Sequence, residues 1–428
     1  MIRSLLALSV IVLSACNPDG ATDPDDTDVG TPGVAYYPEV REVLDTSCLR
    51  CHSGEGPGVG DFSDPDVAVI LAERLLIRTS EGTMPPPVTD PDCRDFLGSE
   101  RLTISQDNID ILAAWIDNGK PIGDPEDMVT VEPIVTELDT WDLEIQLPNA
   151  YAPTFSDESN PGNEYRCFYL ETGLTETQYI TAMSPVIDEP GLIHHVVAYV
   201  ATSLPNNYDP TKGKNCINNA SPGAGMLAGW APGGLPVEFD EGYGLKIEPG
   251  QYVVMQMHYF DNGLDSGVTD QSGYHFKLTD SVDYRVIQAP LGKFGSFSIP
   301  PGEQSTVVTE SFDLPALIDY QVTIHGTFPH MHGIGSAYSA GIVRPDGTEE
   351  CVARSDQWDF DNQMTFMFKD PPVVQAGDGI SISCTYDSSD RTETTHDGER
   401  TDEEMCFAFT FLSTEPPGLI DLVDEYLR

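Results

Sequence analysis

The sequence predicts a multidomain protein in which a small all-α domain is followed by two antiparallel, jelly-roll-like β-sandwich domains. Before residue 128, apolar residues recur at the i, i+3, i+4, i+7 spacing of amphipathic helices. After Pro125 this periodicity stops, and short alternating runs separated by Gly, Pro, Asn and Asp continue to the end of the chain. Many short strands over about 300 residues favour β-sandwiches. We therefore place the helical domain at 35–128 and the β domains at 129–287 and 288–428.

The first residues are typical of an export signal. An apolar run from Leu5 to Leu13 follows Arg3, and it is too short to span a membrane as a mature helix. The next residues, Ser14-Ala15-Cys16, complete a pattern that resembles a bacterial lipobox, which is cut before the cysteine that then carries the lipid. An ordinary signal peptide is the alternative. We predict a signal over 1–15, a lipid anchor at Cys16, and a lipid-anchored location in the bacterial cell envelope, periplasmic or at the outer membrane.

The chain is strongly acidic, with 70 Asp and Glu against 21 Lys and Arg. This balance argues against nucleic acid or an anionic membrane surface as a partner, because both would be repelled. Residues 16–34 are rich in Asp, Pro, Gly and Thr and have too few apolar side chains to form a core. They are predicted to be a solvated tether between the lipid and the first domain.

The segment Cys48-Leu49-Arg50-Cys51-His52 has the C-x-x-C-H pattern of covalent haem attachment. Two thiols on one helical turn add to the haem vinyl groups, and the histidine that follows reaches the iron. The alternatives for C-x-x-C are a redox disulfide or half of a zinc site. The adjoining His52 and the predicted export favour one covalently attached haem c.

Three helical stretches surround this motif, at Tyr37 to Thr46, Val67 to Thr79 and Ile109 to Ile116, and the last has Ser105 as its predicted N-cap. Between the second and third lies Met84, directly before three prolines. The arrangement resembles a small class I c-type cytochrome, in which such a methionine is the sixth iron ligand and raises the iron potential. The alternative for Met84 is an ordinary loop methionine.

The histidines of the β-rich part are grouped. His330 and His332 flank Met331 on a predicted strand, so both imidazoles can face one metal ion because side chains two apart share a face. A solvated strand face is the alternative. His194 and His195 are adjacent, and they can share one metal only if the backbone bends there, by a bulge or at a strand end.

Several short motifs in the right order resemble the copper type II monooxygenases over about residues 130–428. They are Ile193-His194-His195, Gly229 to Gly234, Val254 to Tyr259, His330-Met331-His332, Cys384-Thr385-Tyr386, Asp390-Arg391-Thr392 with His396, and Glu404-Met405-Cys406. The resemblance implies two copper ions. One is held by His194, His195 and His258 and stores an electron. The other is held by His330, His332 and Met405 and binds oxygen; imidazole suits both copper oxidation states, and a thioether favours Cu(I). Core packing is the alternative for Met405.

Six cysteines remain after Cys16, Cys48 and Cys51, an even number that suggests disulfides in an exported protein. The family resemblance implies a Cys384–Cys406 disulfide and, less firmly, Cys167–Cys216. Cys93 and Cys351 are left over, and their pairing would require contact between domains, so it stays open.

The resemblance implies an enzyme that hydroxylates a C–H bond with O₂ and two electrons, which an upstream donor would supply through the fused haem. Peptide-amidating members place Arg two residues before the H-x-H pair, and Asn and Tyr shortly after the Met-Cys pair. Here Phe328, Phe407 and Phe409 stand there, so we expect a small apolar or aromatic substrate. The alternatives are an exported electron-transfer or copper-handling lipoprotein without this activity, or a haem peroxidase, which needs the open iron site that Met84 would close.

Overall fold

A computed structural model of the protein describes residues 33–428, apart from positions 55, 57, 133, 157–160, 217–224, 262, 264–266, 294, 317–318, 399, 401 and 428. Residues 34–428 form one compact unit. The predicted signal peptide, Cys16 and nearly all of the tether lie outside the described residues.

The helical part begins with a π-helical turn and ends with a 3₁₀ turn. Its elements are Tyr36–Val40 (π), α1 (Arg41–Ser47), α2 (Pro65–Ser80), α3 (Ser99–Leu102), α4 (Gln106–Asp117) and Pro125–Asp127 (3₁₀). Asp64 caps α2 by accepting from the N–H of Asp66. Ser105 caps α4 by accepting from the N–H of Asn108, as predicted from the sequence. Tyr36 and Trp115 are fully buried where these elements pack. No helix of the described residues is long and apolar enough to cross a membrane.

The first β part forms two layers around one apolar core. Its strands are β1 (Leu143–Gln146), β2 (Asn163–Glu171), β3 (Gln178–Val186), β4 (Ile193–Ala201), β5 (Lys214–Asn215), β6 (Gly225–Trp230), β7 (Val237–Glu238), β8 (Tyr243–Ile247), β9 (Tyr252–Phe260) and β10 (Gly273–Thr279). One layer is the five-stranded sheet β5-β2-β9-β4-β6, and the other contains β1, β10, β3 and β8. The strand predicted from the alternating run at Tyr252 to Tyr259 is β9.

The second β part has a separate core. Its elements are β11 (Tyr284–Gly292), β12 (Ser298–Ile299), β13 (Thr306–Asp313), β14 (Gln321–His330), β15 (Gly335–Val343), β16 (Glu349–Ser355), β17 (Phe366–Met367), β18 (Val373–Gln375), β19 (Gly379–Tyr386), β20 (Thr395–His396), β21 (Phe407–Glu415) and a last helix, α5 (Leu419–Leu427). The sheet β13-β19-β15-β16 forms the outer layer, and β11, β21, β14 and β17 form the layer that faces it.

The layer with β1, β10, β3 and β8 and the layer with β11, β21, β14 and β17 form one continuous sheet. The structure therefore differs from the predicted pair of separate antiparallel sandwiches. Residues 284–286 of β11 pair in parallel with β8, and residues 287–292 of the same strand pair antiparallel with β21. The predicted boundary at 287/288 therefore falls inside a strand. An alternating sequence pattern shows which face of a strand is buried but not which neighbour the strand pairs with, so this junction had no sequence signal.

The helical part is fixed to the second β part. A disulfide joins Cys93 to Cys351, the pairing that the sequence left open. Arg94 forms an ion pair with Glu350 at 2.5 Å. Phe96 is fully buried against Phe366, with ring centroids 5.0 Å apart. The disulfides Cys167–Cys216 and Cys384–Cys406 are also formed.

Candidate metal centre

A first histidine set lies on the neighbouring strands β4 and β9. His195 is the register partner of His258, and the pairing shifts by one residue between Ile193 and His195. On a regular strand His194 and His195 would point to opposite faces. The bulge lets both reach His258, and it is the backbone bend that the sequence required for a shared metal ion.

The Nδ1 atoms of this set converge. His195 Nδ1 lies 3.1 Å from His194 Nδ1 and 3.2 Å from His258 Nδ1. Nitrogen ligands about 2.0 Å from one ion stand roughly 3 Å or slightly more from each other. These three side chains are the one group of at least three His, Cys, Asp or Glu with this metal-binding proximity among the described residues.

Two outer contacts fix which nitrogen faces the centre. The Nε2 atoms of His258 and His194 lie 2.8 Å from Asn163 Oδ1 and 3.0 Å from Asp361 Oδ1. Both oxygens can only accept, so each Nε2 bears the proton and each Nδ1 presents a lone pair. His194 and His258 therefore direct Nδ1 lone pairs at the centre, as metal-binding histidines do. The donor set therefore fits a metal ion, and Asp361 adds a contact from the second β part.

Burial keeps the imidazoles of His195 and His258 neutral. It lowers the pKa of His258 well below its ordinary value, and His195 and His194 lower it further. Burial likewise lowers the pKa of His195 well below its ordinary value, with smaller effects from His194, His330 and His332. Neutral imidazole is the form that binds a metal ion.

A second set is formed by His330, at the end of β14, and His332. Their ring centroids are 5.1 Å apart, with an interplanar angle of 83°. His330 Nδ1 lies 2.6 Å from Gln363 Oε1, and His332 Nδ1 lies 3.0 Å from the carbonyl oxygen of Glu403. These acceptors place the protons on Nδ1, so both Nε2 lone pairs are free for a metal ion. Burial lowers the pKa of His330 to about 3.

Glu404 connects this pair to Met405. Its side chain is 1% exposed and accepts from the backbone N–H of His332 at 2.8 Å and of Met405 at 3.3 Å. Burial raises the pKa of Glu404 to about 7, against the lowering effect of the backbone N–H groups. Tyr386 donates its hydroxyl to the carbonyl oxygen of Met405 at 2.7 Å. Met405 is thus anchored beside His332, and its thioether as third ligand stays a prediction.

Aromatic rings border both sets. Phe328 and Phe409 lie 5.9 and 6.0 Å from the His330 ring, and Phe407 lies 6.2 Å from Phe409. Phe360 lies 6.5 Å from the His194 ring and 6.1 Å from the His332 ring, in centroid distances. One phenyl ring is therefore near a histidine of each set.

Comparison with known families gives matches in both β parts. Residues 149–265 match the N-terminal domain and residues 291–413 match the C-terminal domain of "Copper type II ascorbate-dependent monooxygenase". Together they cover more than half of the chain. This chain belongs to the copper type II ascorbate-dependent monooxygenase family. The six histidine and methionine residues predicted to bind copper lie within the matched ranges.

Several curated proteins are similar to this family member. Mouse DBH-like monooxygenase protein 2 is 26% identical over 58% of this chain and 42% of its own length. Tyramine beta-hydroxylase of Caenorhabditis briggsae is 24% identical over 68% of this chain and 52% of its own. Dog dopamine beta-hydroxylase is 27% identical over 53% and 39%. The chain thus spans about half or less of these relatives. A solved virus particle, of infectious bursal disease virus VP2, matches 67% of this chain and 74% of its own at 14% identity, with a TM-score of 0.20 that is too low to bear on the fold.

The helical part of this monooxygenase-family chain has a cavity of about 610 Å³ at the C-x-x-C-H motif. Cys48, Cys51 and His52 line it together with Met84, and the two cysteines form no disulfide. His52 Nδ1 lies 3.1 Å from the carbonyl oxygen of Val59, so the lone pair of Nε2 is available to a metal.

The remaining lining of the cavity suits an amphipathic cofactor. Its walls are mainly apolar, and Arg50, Arg74 and Arg78 add cations. Arg50 donates from Nη1 to the carbonyl oxygen of Gly233 at 3.0 Å, whereas its buried Nη2 has no hydrogen-bond partner. A buried guanidinium N–H without an acceptor is costly, and a carboxylate would satisfy it. The residues therefore fit haem, which has two propionates, and haem binding stays a prediction.

Sequence reasoning missed the residues that orient the ligands. Asn163, Asp361 and Gln363 belong to no motif, because their roles depend on which strands and loops meet in space. Glu404 had a signal, its position directly before Met405. Among the other histidines, His275 stacks on Trp141 at 3.6 Å and His325 contacts Ser413 at 2.8 Å, so both have structural roles.

Proposed function

We propose that the chain is a copper-dependent monooxygenase that hydroxylates a C–H bond of a small apolar or aromatic substrate with O₂, its electrons supplied through a haem on the helical part. The main support is the convergence of three Nδ1 atoms in the first histidine set, with a second, differently oriented histidine pair in the same compact unit. Family membership gives this geometry its chemical meaning.

The protein's own groups prepare two different sites. Copper would supply one-electron redox chemistry and oxygen activation at these histidines. Asp361 and Asn163 keep protons on Nε2 of His194 and His258, and Gln363 and the Glu403 carbonyl keep protons on Nδ1 of His330 and His332. Each imidazole is thereby held in the tautomer and orientation that ligation needs.

The aromatic border of the second set supports a proposal for the substrate class. Phe328, Phe407 and Phe409 replace the charged and polar residues of peptide-amidating members, and they can pack against a ring while excluding water from His330. The names of two relatives, tyramine beta-hydroxylase and dopamine beta-hydroxylase, refer to small aromatic compounds. We therefore propose a small substrate with an aromatic or apolar body.

We expect oxygen uptake by the reduced, copper-loaded protein to be coupled to hydroxylation of some members of a panel of small aromatic and aliphatic compounds. Incorporation of one atom of ¹⁸O₂ into product, detected by mass spectrometry, is the measurement. Zinc-loaded protein is the control, because zinc keeps the ligands in place without redox chemistry. Oxygen consumption that yields only peroxide or water across the panel would count against a monooxygenase.

We expect two copper ions and one iron per chain after copper saturation, since two histidine sets and one haem motif are present. Elemental analysis of the purified holoprotein measures both ratios, and the pyridine haemochrome spectrum identifies covalent haem. Zinc bound in preference to copper, or a single copper, would contradict the two-site assignment.

The alternative is an exported electron-transfer or copper-handling protein that uses the same ligands. Copper-handling proteins typically present clustered Met or Cys ligands. Here the described residues place three histidines at one site and two at the other, with separate outer contacts. Such construction favours two copper ions with distinct tasks, and the ¹⁸O₂ experiment separates the two functions.

We also propose that Cys16 bears a lipid anchor in a bacterial cell envelope, on the strength of the lipobox-like pattern alone. Detergent-extracted protein is then expected to begin at an acylated Cys16, as measured by mass spectrometry of its N-terminal peptide. A mature chain that begins elsewhere or bears no acyl group would disprove the anchor.

A further inference from the structure

One loop of the second β part contacts a ligand of each histidine set and the helical part. Its residues Asp361, Asn362 and Gln363 are consecutive. Asp361 accepts from His194, and Gln363 accepts from His330. Between them, Asn362 donates from Nδ2 to the carbonyl oxygen of Pro87 at 2.8 Å. Pro87 follows Met84, Pro85 and Pro86, which line the cavity of the C-x-x-C-H motif.

We propose that this loop is the route by which electrons leave the haem of the helical part, and that the Asn362–Pro87 contact is where they cross into the β parts. The inference rests on the proposed function, since it requires both cofactors. In each transfer one electron leaves Fe(II) haem, giving Fe(III), and reduces Cu(II) to Cu(I). A soluble one-electron donor then restores the haem.

From the cavity-lining Met84, the route follows the backbone to Pro87, and beyond it there are two hydrogen bonds and no through-space gap. From Pro87 it crosses one hydrogen bond to Asn362, continues through the backbone to Asp361, and crosses a second hydrogen bond of 3.0 Å to His194. Tunnelling through covalent and hydrogen bonds decays less steeply with distance than tunnelling through space. Asn362 thus acts as a connecting residue and touches neither metal-binding set directly.

A second contact between the two parts is a poorer route. Arg50 donates to Gly233, but from Gly233 the chain must pass back to Trp230 and across the β4–β6 pairing at Val196 before it reaches His195. The contact at Asn362 reaches His194 through two residues. Asn362 is also followed directly by Gln363, whose Oε1 accepts from His330 of the second set.

The surrounding interface keeps this contact in register. The Cys93–Cys351 disulfide, the Arg354–Asp90 ion pair and the burial of Phe96 fix residues 89–96 against the second β part. The Asp90 N–H donates to the carbonyl oxygen of Arg354 at 2.6 Å. A permanent connection of this kind is what a built-in electron donor needs, whereas an exchanging partner would dock reversibly.

Asn362→Ala tests the route, with Gln357→Ala as the matched control. Gln357 is on the same loop and also donates an amide N–H to the helical part, to the carbonyl oxygen of Glu81 at 3.4 Å, but it contacts no histidine in the described structure. The holoprotein, anaerobic and without substrate, is photoreduced at the haem by a flash-excited flavin. Loss of reduced-haem absorbance then reports transfer to copper.

We expect Asn362→Ala to slow haem oxidation severalfold, because the electron must then cross a through-space gap in place of the hydrogen bond to Pro87. Gln357→Ala should transfer at the wild-type rate, and the copper EPR and haem optical spectra of both variants should match the wild type. Equal rates in wild type and Asn362→Ala overturn the route, as does equal slowing in Gln357→Ala. A wild type that binds no haem, or whose reduced haem passes no electron to copper, overturns it too.

The proposed function is tested separately from the route. Hydroxylation driven by a soluble reductant needs no contribution from Asn362. If the wild type hydroxylates under those conditions but Asn362→Ala does not slow haem oxidation, the proposed function stands and the proposed route is wrong. If electrons pass from haem to copper in a manner that depends on Asn362 but no substrate is ever hydroxylated, the route stands and the proposed function is wrong.

Discussion

Replacing Met405 with leucine is expected to lower hydroxylation by about two orders of magnitude or more while leaving the fold intact. Leucine has nearly the volume of methionine, so packing is kept while the thioether is lost. Removal of outer contacts alone typically costs 10–100-fold in metal affinity or activity, so loss of a direct ligand should cost at least as much. The backbone of Met405 is held by Glu404, by Tyr386 and by the adjacent Cys384–Cys406 disulfide, so its position should survive.

The measurement is product formation from ¹⁸O₂ together with copper stoichiometry and the copper EPR spectrum. Met364→Leu provides a matched control, because Met364 is a buried methionine of the same β part with only a packing role in the described contacts. If Met405→Leu hydroxylates at a near-normal rate, the sulfur is not a required ligand, and Met405 belongs with Phe407 and Phe409 as packing. Met405→His, which offers a nitrogen in place of sulfur, should restore copper binding at that site.

The grouping of the histidines was partly predictable from sequence because local geometry limits what short motifs can do. Side chains two apart on a strand share a face, so the H-x-H spacing alone makes His330 and His332 a credible pair of ligands. The adjacent histidines His194 and His195 demanded a backbone irregularity, and the register shift between Ile193 and His195 lies there. In both cases a covalent constraint over two or three residues decided the outcome.

The contacts that orient those histidines were not predictable, because they depend on distant segments that meet only in the folded chain. Asp361 lies 167 positions from His194, and Asn163 lies 95 positions from His258. Two further features were unpredictable for the same reason: the strand β11 is shared between the two β parts, and the Cys93–Cys351 disulfide joins distant segments. Hydrophobic periodicity specifies the buried face of each strand, whereas the choice of neighbour depends on the packing of whole layers.

Replacing both Cys48 and Cys51 with alanine is expected to abolish turnover that is driven through the proposed haem of the helical part. The double variant should lose covalent haem, so its denatured form gives no pyridine haemochrome. Its turnover with a donor that reduces only haem should fall to background, because no other group of the helical part is proposed to accept an electron. Turnover with a small reductant that reaches copper directly should persist, since Cys48 and Cys51 contact none of the predicted copper ligands in the described structure.

Met84→Ala separates the effect of losing the haem from the effect of changing the reduction potential of its iron. This variant keeps both thiols and His52, so haem should stay covalently attached while the Met–iron charge-transfer band disappears and the potential falls. Haem-driven turnover should then slow without being abolished, because a haem of lower potential is reduced less readily by its donor. A haem in the helical part would hold its electron at an effective concentration that can reach about millimolar, so the proposed fusion would outcompete a donor that diffuses at a lower concentration. If the double cysteine variant retains full turnover with the haem-specific donor, electrons reach copper by another way, and the helical part serves a different partner.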